Sequence, residues 1–194
     1  MVFSSTTFLF CFLPCVLGLY FVVPKRFRKA RNMILLAFSL VFYGVGEPRY
    51  IVIMLLSILI NYLSGLAVFL AEQRHPRYQK WVVAACVVLN LGIFIAFKYT
   101  GFLFENVNNL FGIAIPIPEI VMPIGISFFT FQGMSYVFDV AMGQARVQKN
   151  ILNVALYISL FPQLIAGPIV RYQTVADEIM DRDEMCIRDR CYAA

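Results

Sequence analysis

The sequence predicts an all-α, polytopic integral membrane protein of about five membrane helices, with one broken, re-entrant helix and one interfacial helix. Three observations carry that prediction. Of the 194 residues, 61% are hydrophobic and 14% charged, with a mean hydropathy of +0.78, whereas a soluble domain is nearer half apolar and a quarter charged. The basic residues fall in short clusters between long apolar runs, the pattern that orients membrane chains. Finally, two prolines and a glycine interrupt the apolar run that starts at Ile151, within Phe161-Pro162-Gln163-Leu164-Ile165-Ala166-Gly167-Pro168-Ile169-Val170-Arg171.

The first apolar run is Thr7 to Val23, and the charge follows it, as Pro24-Lys25-Arg26-Phe27-Arg28-Lys29-Ala30-Arg31. A secretory signal has its charge before the apolar core and a small-residue cleavage site after it, so an uncleaved membrane helix is expected. Basic residues with no acid beside them belong on the cytoplasmic side, which puts the N-terminus outside. Asn32 to Gly46 is shorter, roughly 22 Å as a helix, and needs a thinned bilayer or neighbours to span. Tyr50 to Ala71 is long enough alone, and Asn61, Tyr62, Ser64 and Gly65 mark a face for helix packing,. Glu72 to Lys80 is expected as a second basic, cytoplasmic loop, with His75 exposed in it.

Trp81 to Phe97 returns outward. Gly101 to Phe111 then sets Leu103, Val107, Leu110 and Phe111 on one side and Glu105, Asn106, Asn108 and Asn109 on the other, as an interfacial helix does; a polar loop with apolar anchors reads the same way. After Ile115-Pro116-Ile117-Pro118, Ile120 to Met142 goes back inward with Gly125, Ser127, Thr130, Gln132, Gly133, Ser135 and Asp139, too polar a set to face lipid. Asp139 is expected to pair with Arg146 or Lys149 at the helix end; an ionisable group at membrane depth is otherwise a functional candidate. The basic stretch Gln144 to Asn150 is the third cytoplasmic segment.

Ile151 to Phe161 makes about 16 Å of helix, half a membrane. Beyond it Pro162, Gly167 and Pro168 forbid a regular helix, and broken backbone survives in hydrocarbon only inside protein or beside a watery cavity. Gln163 and Arg171 place polar chemistry at the two ends of this break. Arg171 either snorkels to a headgroup or faces an anionic ligand.

The net charge of +5 gives no support to nucleic-acid binding, because the basic clusters alternate with apolar spans,. Cys11, Cys15, Cys86, Cys186 and Cys191 show neither a disulfide framework nor, with the single histidine His75, metal-ligand spacing,. Glu184-Met185-Cys186-Ile187-Arg188-Asp189-Arg190 matches the in-frame translation of a transposon-end adapter used in sequencing libraries. The natural sequence is therefore expected to stop near Arg182 or Asp183, with 183–194 a non-native tail and 1–182 the N-terminal part of a larger membrane domain.

Several motifs carry a family resemblance. They are Met1-Val2-Phe3-Ser4-Ser5, Phe42-Tyr43-Gly44 with Gly46-Glu47-Pro48, Ser57-Ile58 with Asn61-Tyr62, and Phe97-Lys98-Tyr99. To these add Pro123-Ile124-Gly125-Ile126-Ser127-Phe128-Phe129-Thr130-Phe131-Gln132 and the stretch from Phe161 to Arg171; these last two, in this order, are the specific ones. From Met1 to about Arg182 the chain resembles the membrane-bound O-acyltransferase family. It is most similar to the bacterial branch with alginate O-acetyltransferase and the teichoic-acid D-alanyl transferase.

The resemblance implies transfer of an acyl group, usually acetyl, from a cytoplasmic thioester to a hydroxyl of an extracellular polysaccharide, as in alginate biosynthesis. The thioester donor would be acetyl-CoA or an acyl-carrier protein, and no cofactor is held. The setting implied is the bacterial cell membrane, with membrane lipid, the polysaccharide acceptor and, in some branches, an extracytoplasmic acyl-transfer partner. Members share a funnel with a histidine at its narrow point. That histidine lies downstream of the Gly167-Pro168 motif, and no histidine follows His75 here, so the chain alone is expected to be inactive. Ser127, Gln132, Gln163 and Arg171 match as substrate-funnel candidates, with Pro162, Gly167 and Pro168 as the structural break. A transporter with broken helices and a non-catalytic membrane scaffold are the alternative readings; the first should show an internal repeat, and no second copy of the broken segment is present.

Overall fold

A computed structural model describes residues 6–24, 26–112, 123–166 and 170–180, and every regular element among them is helical. A π-helical turn, Phe8–Phe12, leads into α1 (Leu13–Val22). Pro14 explains the turn: it brings no N–H, and its ring crowds the carbonyl four residues back. The chain widens there, and the Leu13 N–H bonds the Phe8 carbonyl,.

α2 (Arg28–Gly46) begins four residues before the expected Asn32. Arginine, lysine and alanine are good helix formers, so the charge that ends the apolar run does not end the helix. Arg31 Nε donates to the Val23 carbonyl at 2.9 Å, and its guanidinium lies 4.8 Å over the Tyr20 ring. The basic run thus fastens the α1–α2 turn.

α3 (Ile51–Arg74) and α4 (Pro76–Lys98) have 24 and 23 residues, about 36 and 34 Å, enough to cross a ~30 Å hydrocarbon core. The loop expected over Glu72 to Lys80 is not there. His75, with φ −151° and ψ 85°, is the whole connection. The flanking Glu, Gln, Arg and Lys residues continue both helices, and Pro76 suits a helix first turn.

The apolar stretches of α3 and α4 are mostly uncovered, unlike the core helices of a soluble protein. Only 17% of the most apolar part of α4 is buried, and Trp81, Val88 and Leu89 stand exposed. Apolar surface on that scale is what lipid-facing helices present, in keeping with a membrane protein,. These are the two helices, among the described residues, long and apolar enough to span; Phe8–Val22 and α6 are shorter.

α5 (Thr100–Phe111) is the expected amphipathic helix, stopped by Gly112 in the left-handed region at φ +63°,. The Thr100 hydroxyl donates to the Ala96 carbonyl in the turn before it. Leu103, Val107 and Leu110 are exposed, as are Glu105 and Asn109 on the other side. The Ile115 to Pro118 stretch and the expected start at Ile120 lie outside the described residues. α6 (Ile126–Ala141) follows Gly125, whose φ of +79° brings the chain in against Leu164. α7 (Ile151–Ser159), α8 (Phe161–Ala166) and α9 (Tyr172–Met180) complete the fold.

α3, α4 and α6 form the packed centre, with α7 laid across α2 and α3. Two carboxamides tie the centre together. Asn61 Nδ2 donates to Asn90 Oδ1 at 3.0 Å, and Asn90 Nδ2 returns a bond to Asn61 Oδ1 at 3.1 Å. Each also bonds the carbonyl four residues earlier in its own helix, Ser57 and Cys86. Both side chains are buried, and polar groups so placed hold only when satisfied.

The basic segments are linked to one another through the helices they flank, and the third also reaches α3, where Tyr62 Oη donates to the Lys149 carbonyl at 2.9 Å. Gln79 Nε2 donates to the Ala141 carbonyl at 2.8 Å, joining the second to the end of α6, from which the third follows. Lys29 and Asn150 line one cleft, joining the first to the third.

Candidate functional site

The break after α7 is sharper than a proline kink. Leu160, at φ −57° and ψ 113°, is the single non-helical residue, and α8 starts afresh at Phe161 with Pro162 in its first turn. In an unbroken helix the Phe161 N–H would bond the Tyr157 carbonyl. Here both groups lose that partner, and side chains from other helices replace it. Phe161 N donates to Ser39 Oγ of α2 at 3.4 Å. Gln132 Nε2 of α6 donates to the Tyr157 carbonyl at 2.7 Å. The next turn re-forms on Leu160, whose carbonyl accepts from Gln163 N and Leu164 N at 3.0 and 3.1 Å.

The same Gln132 Nε2 donates to Gln163 Oε1 at 2.6 Å. Gln132 is buried, whereas Gln163 is half-buried and Pro162 exposed. Gln163 therefore uses its oxygen inward and keeps its Nε2 to donate elsewhere. Phe8, Phe12 and Phe42 pack around Phe161 with ring centroids 5.6–6.0 Å away, an apolar plug on the side away from Gln163.

The return from the break is pinned as well. Tyr157 Oη donates to the Val170 carbonyl at 2.7 Å, and Gln173 N donates to Asp139 Oδ2 at 3.0 Å. Between these anchors the Tyr172 ring is buried, with centroids 4.8 Å from Tyr136 and 5.0 Å from Tyr157. Gln148 Nε2 donates to Tyr172 Oη at 3.3 Å, and Gln148 N to Tyr136 Oη at 3.2 Å.

Of the four funnel candidates, Gln132 and Gln163 meet. Ser127, half-buried in the first turn of α6, shares no hydrogen bond with them among the described residues, and Arg171 stands exposed after the break. Gly167 and Pro168 lie outside the described residues. The expected Asp139 pairing with Arg146 or Lys149 is corrected: both cations are exposed, and the buried carboxylate takes the Gln173 amide instead. An N–H at a helix start is a better partner for a buried carboxylate than a long side chain that water can solvate. His75 is exposed as expected, its ring edge-on to Tyr78 at 5.8 Å.

The sequence reading passed over Ser39, Asn90 and the three tyrosines. A lone Asn inside an apolar span is itself a signal, since such a group must find a partner. Ser39 and the tyrosines gave none, because they are common in membrane helices and acquire a role only from the neighbouring helix.

No protein-family profile matches the chain, and no solved structure does. Over 186 residues, 94% of its length, it is 37% identical to the probable alginate O-acetylase AlgI of Azotobacter vinelandii and to that of Pseudomonas aeruginosa. It spans 36% and 35% of those proteins. It is also 27% identical over 218 residues to the peptidoglycan O-acetyltransferase of Helicobacter pylori, covering 98% of the chain and 41% of that protein. Across its aligned residues the chain is thus related to the alginate O-acetylases, which fits the resemblance to the membrane-bound O-acyltransferase family.

Proposed function

We propose that the chain forms one part of a multi-pass bacterial membrane O-acyltransferase that moves an acetyl group from a cytoplasmic thioester to hydroxyls of an extracellular polysaccharide. The acceptor oxygen attacks the thioester carbonyl, its proton passes to a base, and the thiolate leaves and is protonated. The donor is carried by a coenzyme or an acyl-carrier protein, and an extracytoplasmic partner relays the group in part of the family. The observation that carries this reading is the Gln132–Gln163 link across the break, on a chain whose relatives bear the names of polysaccharide O-acetylating proteins. A carboxamide donor oriented by a second carboxamide, in surroundings of low dielectric, suits the oxygen that becomes negative as a thioester is attacked. Gln163 Nε2 has that role, and Gln132 positions it.

His75, exposed at the α3–α4 joint, does not serve as the base. The acid-poor basic segments favour a cytoplasmic location for themselves and an outside N-terminus.

The test is a chimera in which residues 1–182 replace the aligned part of the Pseudomonas aeruginosa relative, in cells that lack their own alginate acetylase. Ester groups on secreted alginate are expected to return, and Gln163→Leu in the chimera to reduce them at least tenfold at equal membrane abundance. A chimera that inserts normally and leaves alginate unacetylated overturns the proposal.

A further inference from the structure

Away from the break, a cleft of about 100 Å3 opens between the first turns of α2 and α7. Its polar rim is Lys29, Asn32, Asn150 and Asn153; its apolar wall is Met33, Leu36 and Leu152. No carboxylate lines it among the described residues. Asn150 Oδ1 already accepts from Leu152 N at 3.0 Å, so the group Asn150 has left to offer is its Nδ2 donor. One ammonium and several amide donors, with no acid to neutralise them, make a site for oxygen-rich anions.

Size and setting narrow the ligand. Pockets that enclose whole small molecules start near 300 Å3, so this cleft takes a group the size of a phosphate with the remainder outside. Leu36 is buried at the base, while Met33 and Leu152 are 53% and 41% exposed, so the apolar wall runs out to the surface. Arg26 and Arg28 adjoin it in sequence, in a chain that lies in a membrane. A polar rim above an apolar exit fits an amphiphile.

We propose that the α2–α7 cleft binds the phosphodiester of a phospholipid headgroup. Lys29 is its ionic partner, Asn150 and Asn153 donate to its oxygens, and the glycerol and acyl chains leave along Met33 and Leu152. This site is separate from the Gln132–Gln163 break and stands whether or not the chain takes part in acetyl transfer.

The test measures retention of phosphatidylglycerol by the full chain in detergent, by native mass spectrometry over a lipid titration. Lys29→Gln should weaken retention about fivefold, as loss of one interfacial cation implies, and Lys29→Arg should restore it. Asn153→Leu should weaken it without changing charge. Arg26→Gln removes the same charge outside the cleft and should change retention less than twofold. Equal losses from Lys29→Gln and Arg26→Gln would mean diffuse surface attraction and overturn the site. Complete displacement of lipid by millimolar inorganic phosphate would assign the cleft to free phosphate and overturn the lipid. Lys29 is exposed, and unchanged helical circular dichroism of Lys29→Gln confirms that a loss belongs to the cleft.

Discussion

Where α3 crosses α6, Gly133 leaves no room for a methyl group. A Cβ there would lie 2.6 Å from Asn61 Cγ, and closer still to Nδ2, the atom that bonds Asn90 and the Ser57 carbonyl. Gly133→Ala therefore forces a choice. If the helices part, the cost is that of overpacking, about 1–3 kcal/mol. If Asn61 swings away instead, two bonds to Asn90 go, at about 0.6 kcal/mol each inside a membrane protein, and Asn90 is left buried and short of a partner for about 1–3 kcal/mol more. The two ranges overlap at roughly 2–3 kcal/mol. Alanine also gains about 1 kcal/mol of helix propensity over glycine, so the right reference is Gly92→Ala, a helical position with nothing within 4 Å of the added carbon. Unfolding of the purified chain in detergent, followed by helical circular dichroism, should place Gly133→Ala about 2–3 kcal/mol below Gly92→Ala. In an Asn61→Ala background, which has already lost the bonds to Asn90, Gly133→Ala should cost at least about 1 kcal/mol less than it does in the wild type, as expected for residues in contact. Equal stability of the two glycine variants would refute the reasoning.

Three further outcomes follow from the break and its supports. Gln132→Leu removes the substitute donor of the Tyr157 carbonyl and should cost about 1–3 kcal/mol, with Gln163→Leu costing less because the bond from Gln132 to Tyr157 persists; thermal unfolding ranks the two. Tyr157→Phe and Asp139→Ala each release one anchor of the return segment, so limited proteolysis near α9 should speed up in both, and the double variant should exceed either. His75→Ala should leave thermal stability and, in the chimera, alginate acetylation at the wild-type level.

The elements legible in the sequence were those whose cause is local. The runs behind α3 and α4 declare themselves by length and apolarity, α5 by its two faces, and the break by Pro162. The boundaries that differ share one cause: charge marks where the chain meets water, not where a helix ends. Arg28 to Arg31 and the residues around His75 are helix formers with their heads in water, so the helices run on through them. Within the site, Gln132 and Gln163 stood out as polar residues in apolar surroundings, but their meeting across 31 positions is a product of packing. Asp139 was found for the right reason and given the wrong partner. Its true partner, the Gln173 amide, is a backbone group, and sequence patterns do not mark which backbone groups a break will leave unpaired.

Arg171 sits between two fixed points. Tyr157 holds the Val170 carbonyl on one side and Asp139 the Gln173 amide on the other, while the Arg171 carbonyl accepts from Thr174 N in the first turn of α9. None of these bonds uses the Arg171 side chain, which is exposed. The main chain there is ordered by its neighbours, so the position accepts other side chains without disturbing the fold. A spin label or environment-sensitive dye attached at residue 171 would then respond to what approaches the break.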